Sequence, residues 1–337
     1  MSIDLSPLVN SHRLMFAVPL APVQGHRFQP TGFPGLGAAT FQTKDGLCLL
    51  VESVQSMANW LELTIWDEAG RDVKPDLKGL SHVRVLKNGG FLTDTILESH
   101  RLNSPYLLEG SDKTFFNAIR SEVGAMETGP IDRRKMAEVL LKYDVGSLLH
   151  GIFLAKKDLA GGRLRVARAL GAFIEADGVR VAASGGVKND HVNPSGEPKS
   201  GFGNVPFARD EFTAESITLY VHLDMAQIRG YGLGDDVERL LVLLALYKVR
   251  ALVDGNLRLR TACDLEITDA TIEARLPKGF GLPSLDDLTS DLKGAISICK
   301  DRMVQKEVTF NDELKRAKDR DEDKPGSEDP SQENGAQ

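Results

Sequence analysis

The chain has 337 residues, of which 42% are hydrophobic and 26% are charged, and its formal net charge is −7. This length and composition allow a large buried core and are typical of a soluble globular protein. The longest apolar helical run, residues 240–253, is interrupted by Lys248 and Arg250 and is too short for a membrane span, so we expect no segment that crosses a bilayer.

The charge is unevenly distributed along the chain. Residues 311–337 contain nine acidic and five basic residues, which leaves the rest of the chain close to neutral. From about Lys315 the chain is rich in charged residues, Pro, Gly and Ser, so we expect residues 315–337 to form a disordered acidic tail. The negative net charge of the chain therefore does not exclude local basic surfaces that bind a polyanion.

The three cysteines, Cys48, Cys263 and Cys299, are isolated in the sequence and have no Cys or His at zinc-finger spacing. We expect reduced structural thiols, a cytoplasmic protein and no zinc site.

In chain order, hydrophobic periodicity predicts strands over 13–18 and 47–51, a helix within 52–63, a strand over 216–223, a helix over 235–253 and a strand over 257–267. This order matches the split βαβ plan of a ferredoxin-like domain in the α+β class. Two insertions interrupt it, one over about 66–157 with a capped helix at 132–143, and one over 187–210 that has no periodicity and is predicted to be a loop.

The stretch HRFQPTGFPGLGAA, residues 26–39, is a glycine-rich loop with Arg27 and Gln29 at its entry. Its glycines follow neither the Walker A pattern nor the dinucleotide fingerprint. Glycine lets a backbone approach a phosphate chain closely, but a plain turn-rich connection explains the composition as well.

A second pattern is basic. Between residues 163 and 209 there are seven Lys or Arg residues against four Asp or Glu residues, and the later strand places Arg258 and Arg260 on one face while Leu257 and Leu259 face the core. Such a surface suits a single-stranded nucleic-acid backbone, although solvated strand edges with protective charges are the alternative.

Two histidines are candidate functional groups. Asp190 and His191 lie close together in the second insertion and could bind a metal or act as acid and base, although Asn-Asp and Asn-Pro pairs are ordinary turn formers. His150 is flanked by apolar residues, which predicts a buried, hydrogen-bonded side chain.

Six blocks resemble a known family. They are RFQPTGFPGLGAA (27–39), LLVESVQSMANWLE (49–62), KYDVGSLLHGIFLA (142–155), SGGVKNDHVNP (184–194), NVPFARDEF (204–212) and LRLRTACDLE (257–266). The chain resembles the CRISPR-associated backbone protein of the type I-G (formerly I-U) Cascade complex, a member of the repeat-associated RNA-binding superfamily.

The resemblance implies an RNA-recognition-motif-like palm, formed by about 13–65 and 160–300 within a single domain of residues 1–314. It also implies a finger-like insertion at about 66–157 and a thumb loop at about 187–210. Copies would polymerise along one CRISPR guide RNA, pair it with target DNA, and work with other Cascade subunits and a recruited nuclease-helicase.

The resemblance places the guide backbone beside the glycine-rich loop and the first helix, and it assigns three basic positions to the thumb. Together with the basic strands, the residues expected to bind RNA are Arg27, Gln29, Thr31, Gly32, Gln55, Ser56, Asn59, Arg163, Lys188, His191, Arg209, Arg258 and Arg260. We expect no catalytic residue, metal or cofactor. The alternative is a metal-dependent endoribonuclease that uses Asp190.

Overall fold

A computed structural model describes residues 2–33, 37–123, 129–189, 191–193, 195–196, 203–255 and 257–314. The expected acidic tail, 315–337, and Asp190 lie outside the described residues.

The protein belongs to the α+β class, as the sequence predicts. The strands are β1 (Arg13–Pro22), β2 (Gly32–Phe33), β3 (Gly37–Ala38), β4 (Thr40–Thr43), β5 (Gly46–Glu52), β6 (Trp66–Asp67), β7 (Asp72–Val73), β8 (His82–Lys87), β9 (Gly90–Asp94), β10 (Ile152–Leu154), β11 (Leu164–Val166), β12 (Leu170–Asp177), β13 (Arg180–Lys188), β14 (Val205–Thr213), β15 (Ser216–Asp224), β16 (Arg258–Arg260), β17 (Cys263–Ile267), β18 (Ala274–Leu276) and β19 (Gln305–Thr309). The α-helices are α1 (Val54–Leu63), α2 (Pro105–Leu108), α3 (Thr114–Val123), α4 (Arg133–Tyr143), α5 (Gly146–His150), α6 (Met225–Gly230), α7 (Asp235–Gly255) and α8 (Leu285–Cys299).

The central sheet is antiparallel and has the strand order β16-β17-β1-β15-β12-β5-β4, with β18 also paired to β1. Alternate residues of β1 and β15 are buried, as expected for strands with one face against a core. Helices α1 and α7 contact each other, α1 packs on β12, and α7 packs along α8. The ferredoxin-like plan with an RNA-recognition-motif-like palm stays a prediction.

Two sequence predictions need correction. The alternation of apolar and polar residues over 257–267 comes from a hairpin of β16 and β17, not from one strand. The pattern does not reveal the turn, because odd-numbered residues are buried in both strands of the hairpin. The loop in the second insertion is shorter than predicted, because residues 205–210 belong to β14, which pairs with β13.

The first insertion is joined to the end of the chain. Its strand β8 pairs with β9 and, in parallel, with β19 near the C-terminus. The predicted capped helix is present as α4, in which the side chain of Asp132 accepts a hydrogen bond from the amide of Lys135. No helix in the described part of the chain is long and apolar enough to cross a membrane.

A buried ionic cluster connects this insertion to α1. Arg101, which has a φ of +49°, forms an ion pair with Glu62 of α1, and its Nη1 lies 3.1 Å from Oδ2 of Asp144. All three residues are buried. Gly146 leaves room for the guanidinium, since a Cβ at this position would lie 2.7 Å from Nη1 of Arg101.

A second buried pair lies beside this cluster. Nζ of Lys248 on α7 is 2.8 Å from Nε2 of His150, which confirms the buried, hydrogen-bonded histidine predicted from sequence. Burial lowers the pKa of His150 well below its usual value, and neighbouring Lys248, Arg101 and Arg168 lower it further. Burial likewise lowers the pKa of Lys248.

The cysteines are buried and free, in agreement with the expected structural thiols. Burial raises the pKa of Cys263 to about 11, which keeps this residue in the thiol form at neutral pH.

The ionic cluster predicts a large loss of stability on substitution of Arg101. Arg101→Met leaves the carboxylates of Glu62 and Asp144 buried without their cation, so the free energy of unfolding should fall by about 3–5 kcal/mol. Urea denaturation followed by circular dichroism measures it. The control is Arg134→Ala, which removes an exposed pair with Glu138 and should cost less than about 1 kcal/mol. Equal losses in the two variants would contradict this role for Arg101.

His150 predicts a pH-dependent stability. Because its pKa is lowered in the folded state, the unfolded chain binds the extra proton more readily, and stability falls as pH drops below the unfolded value near 6.5. The slope from this one residue is at most about 1.4 kcal/mol per pH unit. His150→Gln retains an acceptor for Lys248, so its unfolding free energy should change less than that of the wild type between pH 7 and pH 5. An equal change in unfolding free energy with pH in the wild type and in His150→Gln would refute the prediction.

Candidate nucleic-acid interface

The start of the glycine-rich loop is attached to three parts of the fold. Phe28 exchanges two backbone hydrogen bonds of 2.9 Å with β14. The amide of Gln29 donates to the β16–β17 turn at 2.7 Å, and the amide of Thr31 donates to β5 at 3.0 Å. Residues 27–31 therefore lie where the β13–β14 hairpin, the end of β5 and the β16–β17 hairpin meet.

Arg260 helps to hold this loop in place. Its Nη1 donates a hydrogen bond of 2.7 Å to the carbonyl oxygen of Gln29, and its Nη2 forms an ion pair with the buried carboxylate of Glu52. Leu257 and Leu259 face the core as predicted, while Arg258 is exposed and forms no ion pair within the described residues. The charge of Arg258 is therefore not paired with any described residue, whereas Arg260 is bound to the loop and to Glu52.

The first turn of α1 follows directly after Glu52. Ser53 caps the helix by accepting a hydrogen bond of 3.3 Å from the amide of Ser56. Gln55 and Asn59, one helical turn apart, are exposed, and Ser56 is partly exposed. A helix start with polar, uncharged side chains beside it can bind phosphate oxygens through N–H donors.

The side chain of Arg27 also contacts the β13–β14 hairpin. Nη1 of the exposed Arg27 lies 3.4 Å from the carbonyl oxygen of Ala183 on β13. On β14, Arg209 is bound through Nε and Nη2 to Oε1 of the buried Glu211, at 3.0 and 2.6 Å. This ion pair compensates the charge of Arg209, a residue that the sequence analysis assigns to RNA binding.

Two further predicted residues lie at the outer end of this hairpin. Lys188 ends β13, and His191 is exposed just beyond it. Gly32 lies in the short strand β2, which pairs with β3, and residues 34–36 between these strands lie outside the described residues.

Most of the predicted residues thus come together, but Arg163 does not join them. Arg163 lies beside β11, where its Nη1 and Nη2 are each 3.4 Å from the carbonyl oxygen of Gly129. It lines a separate cleft with Arg133, Phe153, Arg165 and Arg168.

Sequence reasoning missed Arg133 and Phe153 as candidate binding residues. Arg133 belongs to the first insertion, far in sequence from the other arginines. Phe153 stands directly opposite Arg165 in the β10–β11 pair, a relation that requires the strand register. No group of three or more His, Cys, Asp or Glu suited to a metal ion occurs in the described parts of the chain.

Comparisons with solved structures find distant likenesses. A chain of a structure titled "CRISPR RNA-guided surveillance complex, pre-nicking" is 14% identical with a TM-score of 0.39, and the match covers 80% of this chain and 79% of that one. The crystal structure of Thermofilum pendens Csc2 is 8% identical with a TM-score of 0.31, covering 89% of this chain and 78% of that one. Both are too remote to support a conclusion about function. A comparison with curated proteins finds no match.

Comparison with protein-family models is more informative. Residues 14–181 match the model of the family described as CRISPR-associated protein GSU0053. The matched range includes the glycine-rich loop, α1, the first insertion and β12, which are the parts that form most of the surfaces described above. By this match, which covers just under half of the chain, the protein is a CRISPR-associated protein similar to the GSU0053 family.

Proposed function

We propose that this protein is a non-catalytic, CRISPR RNA-binding subunit. It polymerises along the spacer of the guide RNA and forms the backbone of a type I effector complex, of subtype I-G. The observation that carries the proposal is the family match over residues 14–181, which spans the glycine-rich loop and the start of α1. The attachment of that loop to β5, β14 and the β16–β17 turn supports it, because the loop is held beside α1 and the β13–β14 hairpin.

The chemistry of this surface suits a protein that binds the backbone of a guide RNA. Arg27 supplies charge, Gln55 and Asn59 supply amides, and the helix start supplies backbone N–H groups; all of these can donate to phosphate and sugar oxygens, and such contacts carry no sequence information. A subunit that carries many different spacers needs such sequence-independent binding, since base pairing with the guide provides the specificity.

The proposal includes partners. Copies of the protein would pack head to tail in an open filament, for which a nearly neutral body avoids strong mutual repulsion. The guide would pair with target DNA. Other Cascade subunits and a recruited nuclease-helicase would complete the system in the cytoplasm.

The first test concerns the proposed RNA track, which is the surface formed by Arg27 and the start of the glycine-rich loop together with Gln55 and Asn59 of α1. Arg27→Ala removes one phosphate-binding charge, so affinity for single-stranded RNA should fall by roughly tenfold for every spacer sequence, and the salt slope should decrease by about 0.7. The double variant Gln55→Ala, Asn59→Ala should weaken binding without changing the slope. Fluorescence anisotropy over a series of salt concentrations measures both quantities.

Lys293→Ala is the matched control for these variants, because it removes an exposed positive charge on α8 that pairs with Asp76. It should leave RNA affinity unchanged. Track variants that bind RNA as the wild type does at moderate salt would contradict the residue assignment.

A second test separates RNA binding from RNA cleavage. The non-catalytic proposal predicts that the assembled complex leaves a complementary RNA intact in the presence of Mg²⁺ or Mn²⁺, as judged by denaturing gel electrophoresis. Cleavage that requires the metal and disappears in Asp190→Asn would instead establish an endoribonuclease.

A further inference from the structure

A large cleft lies outside the proposed RNA track. It has a volume of about 1160 Å³ and lies between α4, the β10–β11 hairpin and the segment that leads into β12. Its polar lining includes Arg133, Arg163, Arg165, Arg168 and the buried His150. Among the described residues that line it there is no Asp or Glu.

The cleft is therefore strongly positive. Arg133 and Arg165 are exposed and form no ion pair within the described residues. Among the described residues, Arg168 donates to two neutral acceptors, one of which is the carbonyl oxygen of His150, 3.4 Å from Nε. Because Arg133 and Arg165 have no carboxylate partner among the described residues, a bound polyanion would supply the opposite charge.

The cleft also contains an aromatic platform. Phe153 lines the cleft and is 48% exposed, so that part of its ring is accessible from the cleft. The guanidinium carbon of Arg165 lies 5.3 Å from the centre of its ring. An exposed aromatic ring inside a positive groove is the arrangement on which single-stranded nucleic acids stack a base while their phosphates are bound nearby.

The cleft adjoins the start of α1. The same Arg168 that contacts His150 places its Nη1 3.1 Å from the carbonyl oxygen of Val54, the first residue of α1. One guanidinium therefore connects the cleft with the helix whose first turn carries Gln55. A strand bound at this turn would need to pass Arg168 to enter the cleft.

We propose that this cleft binds a segment of single-stranded RNA, with phosphates on Arg133, Arg165 and Arg168 and one base stacked on Phe153. The inference rests on the proposed function, which supplies the guide as the source of the RNA. It adds base stacking at a site off the central sheet, which accepts any base because every base has a π face.

The test uses the full-length protein and a fluorescein-labelled oligouridine as the RNA probe. Phe153→Leu keeps an apolar side chain but removes the ring, so RNA affinity should fall by about tenfold. Phe153→Trp should retain affinity, and its added fluorescence should be quenched when RNA binds. The double variant Arg133→Ala, Arg165→Ala should lower the salt slope by about 1.4.

Two controls match these variants. Phe91→Leu removes another ring that lies under arginines, those of Arg71 and Arg84, but outside the cleft. Arg134→Ala removes the neighbour of Arg133 on α4, which does not line the cleft. Neither should change RNA affinity.

The outcomes separate the two proposals. If the wild type binds RNA and Phe153→Leu binds equally tightly, or if Phe153→Trp shows no quenching, the cleft inference is wrong and the proposed function stands. If neither the wild-type protein nor its assembled complex binds RNA, the proposed function fails and the cleft inference fails with it.

Discussion

The placement of the first insertion depends on the ion pairs of the buried guanidinium of Arg101. Removing this charge from water is costly, and the nearby carboxylates of Glu62 and Asp144 compensate the cost. Glu62 belongs to α1 and Asp144 lies between α4 and α5, so the cluster joins the insertion to the first helix of the core. The positive φ of Arg101 shows that the backbone accepts some strain to bring its side chain there.

This connection has consequences for function. Helix α5 ends at His150, and β10 begins two residues later, so the position of Asp144 also sets that of the hairpin carrying Phe153. Arg168 then contacts both His150 and α1. The ionic cluster, the positive cleft and the start of α1 thus form one connected arrangement, in which a stability element supports the proposed RNA-binding surfaces.

Much of the core could be predicted from the sequence because it depends on local periodicity. Strands β1, β5 and β15 and helices α1, α4 and α7 were predicted to within a few residues, as were the buried His150 and the core-facing Leu257 and Leu259. The hairpin at 257–267 was missed because its alternation continues across the turn.

The candidate site was less predictable, since partners far apart in sequence determine it. The ion pairs of Arg260 with Glu52 and of Arg209 with Glu211 change how much charge is available for RNA, and the sequence indicates neither pair. The cleft depends on the register that sets Phe153 opposite Arg165 and on Arg133 from another element. The assignment of individual residues to RNA stays a prediction.

The most direct test of the account is to express the protein together with a CRISPR array and to examine the nucleic acid that copurifies with it. The account predicts a high ratio of absorbance at the nucleic-acid maximum to that at the protein maximum, caused by RNase-sensitive material of discrete guide length. Protein that stays free of RNA, even when the other subunits of the complex are supplied, would contradict it.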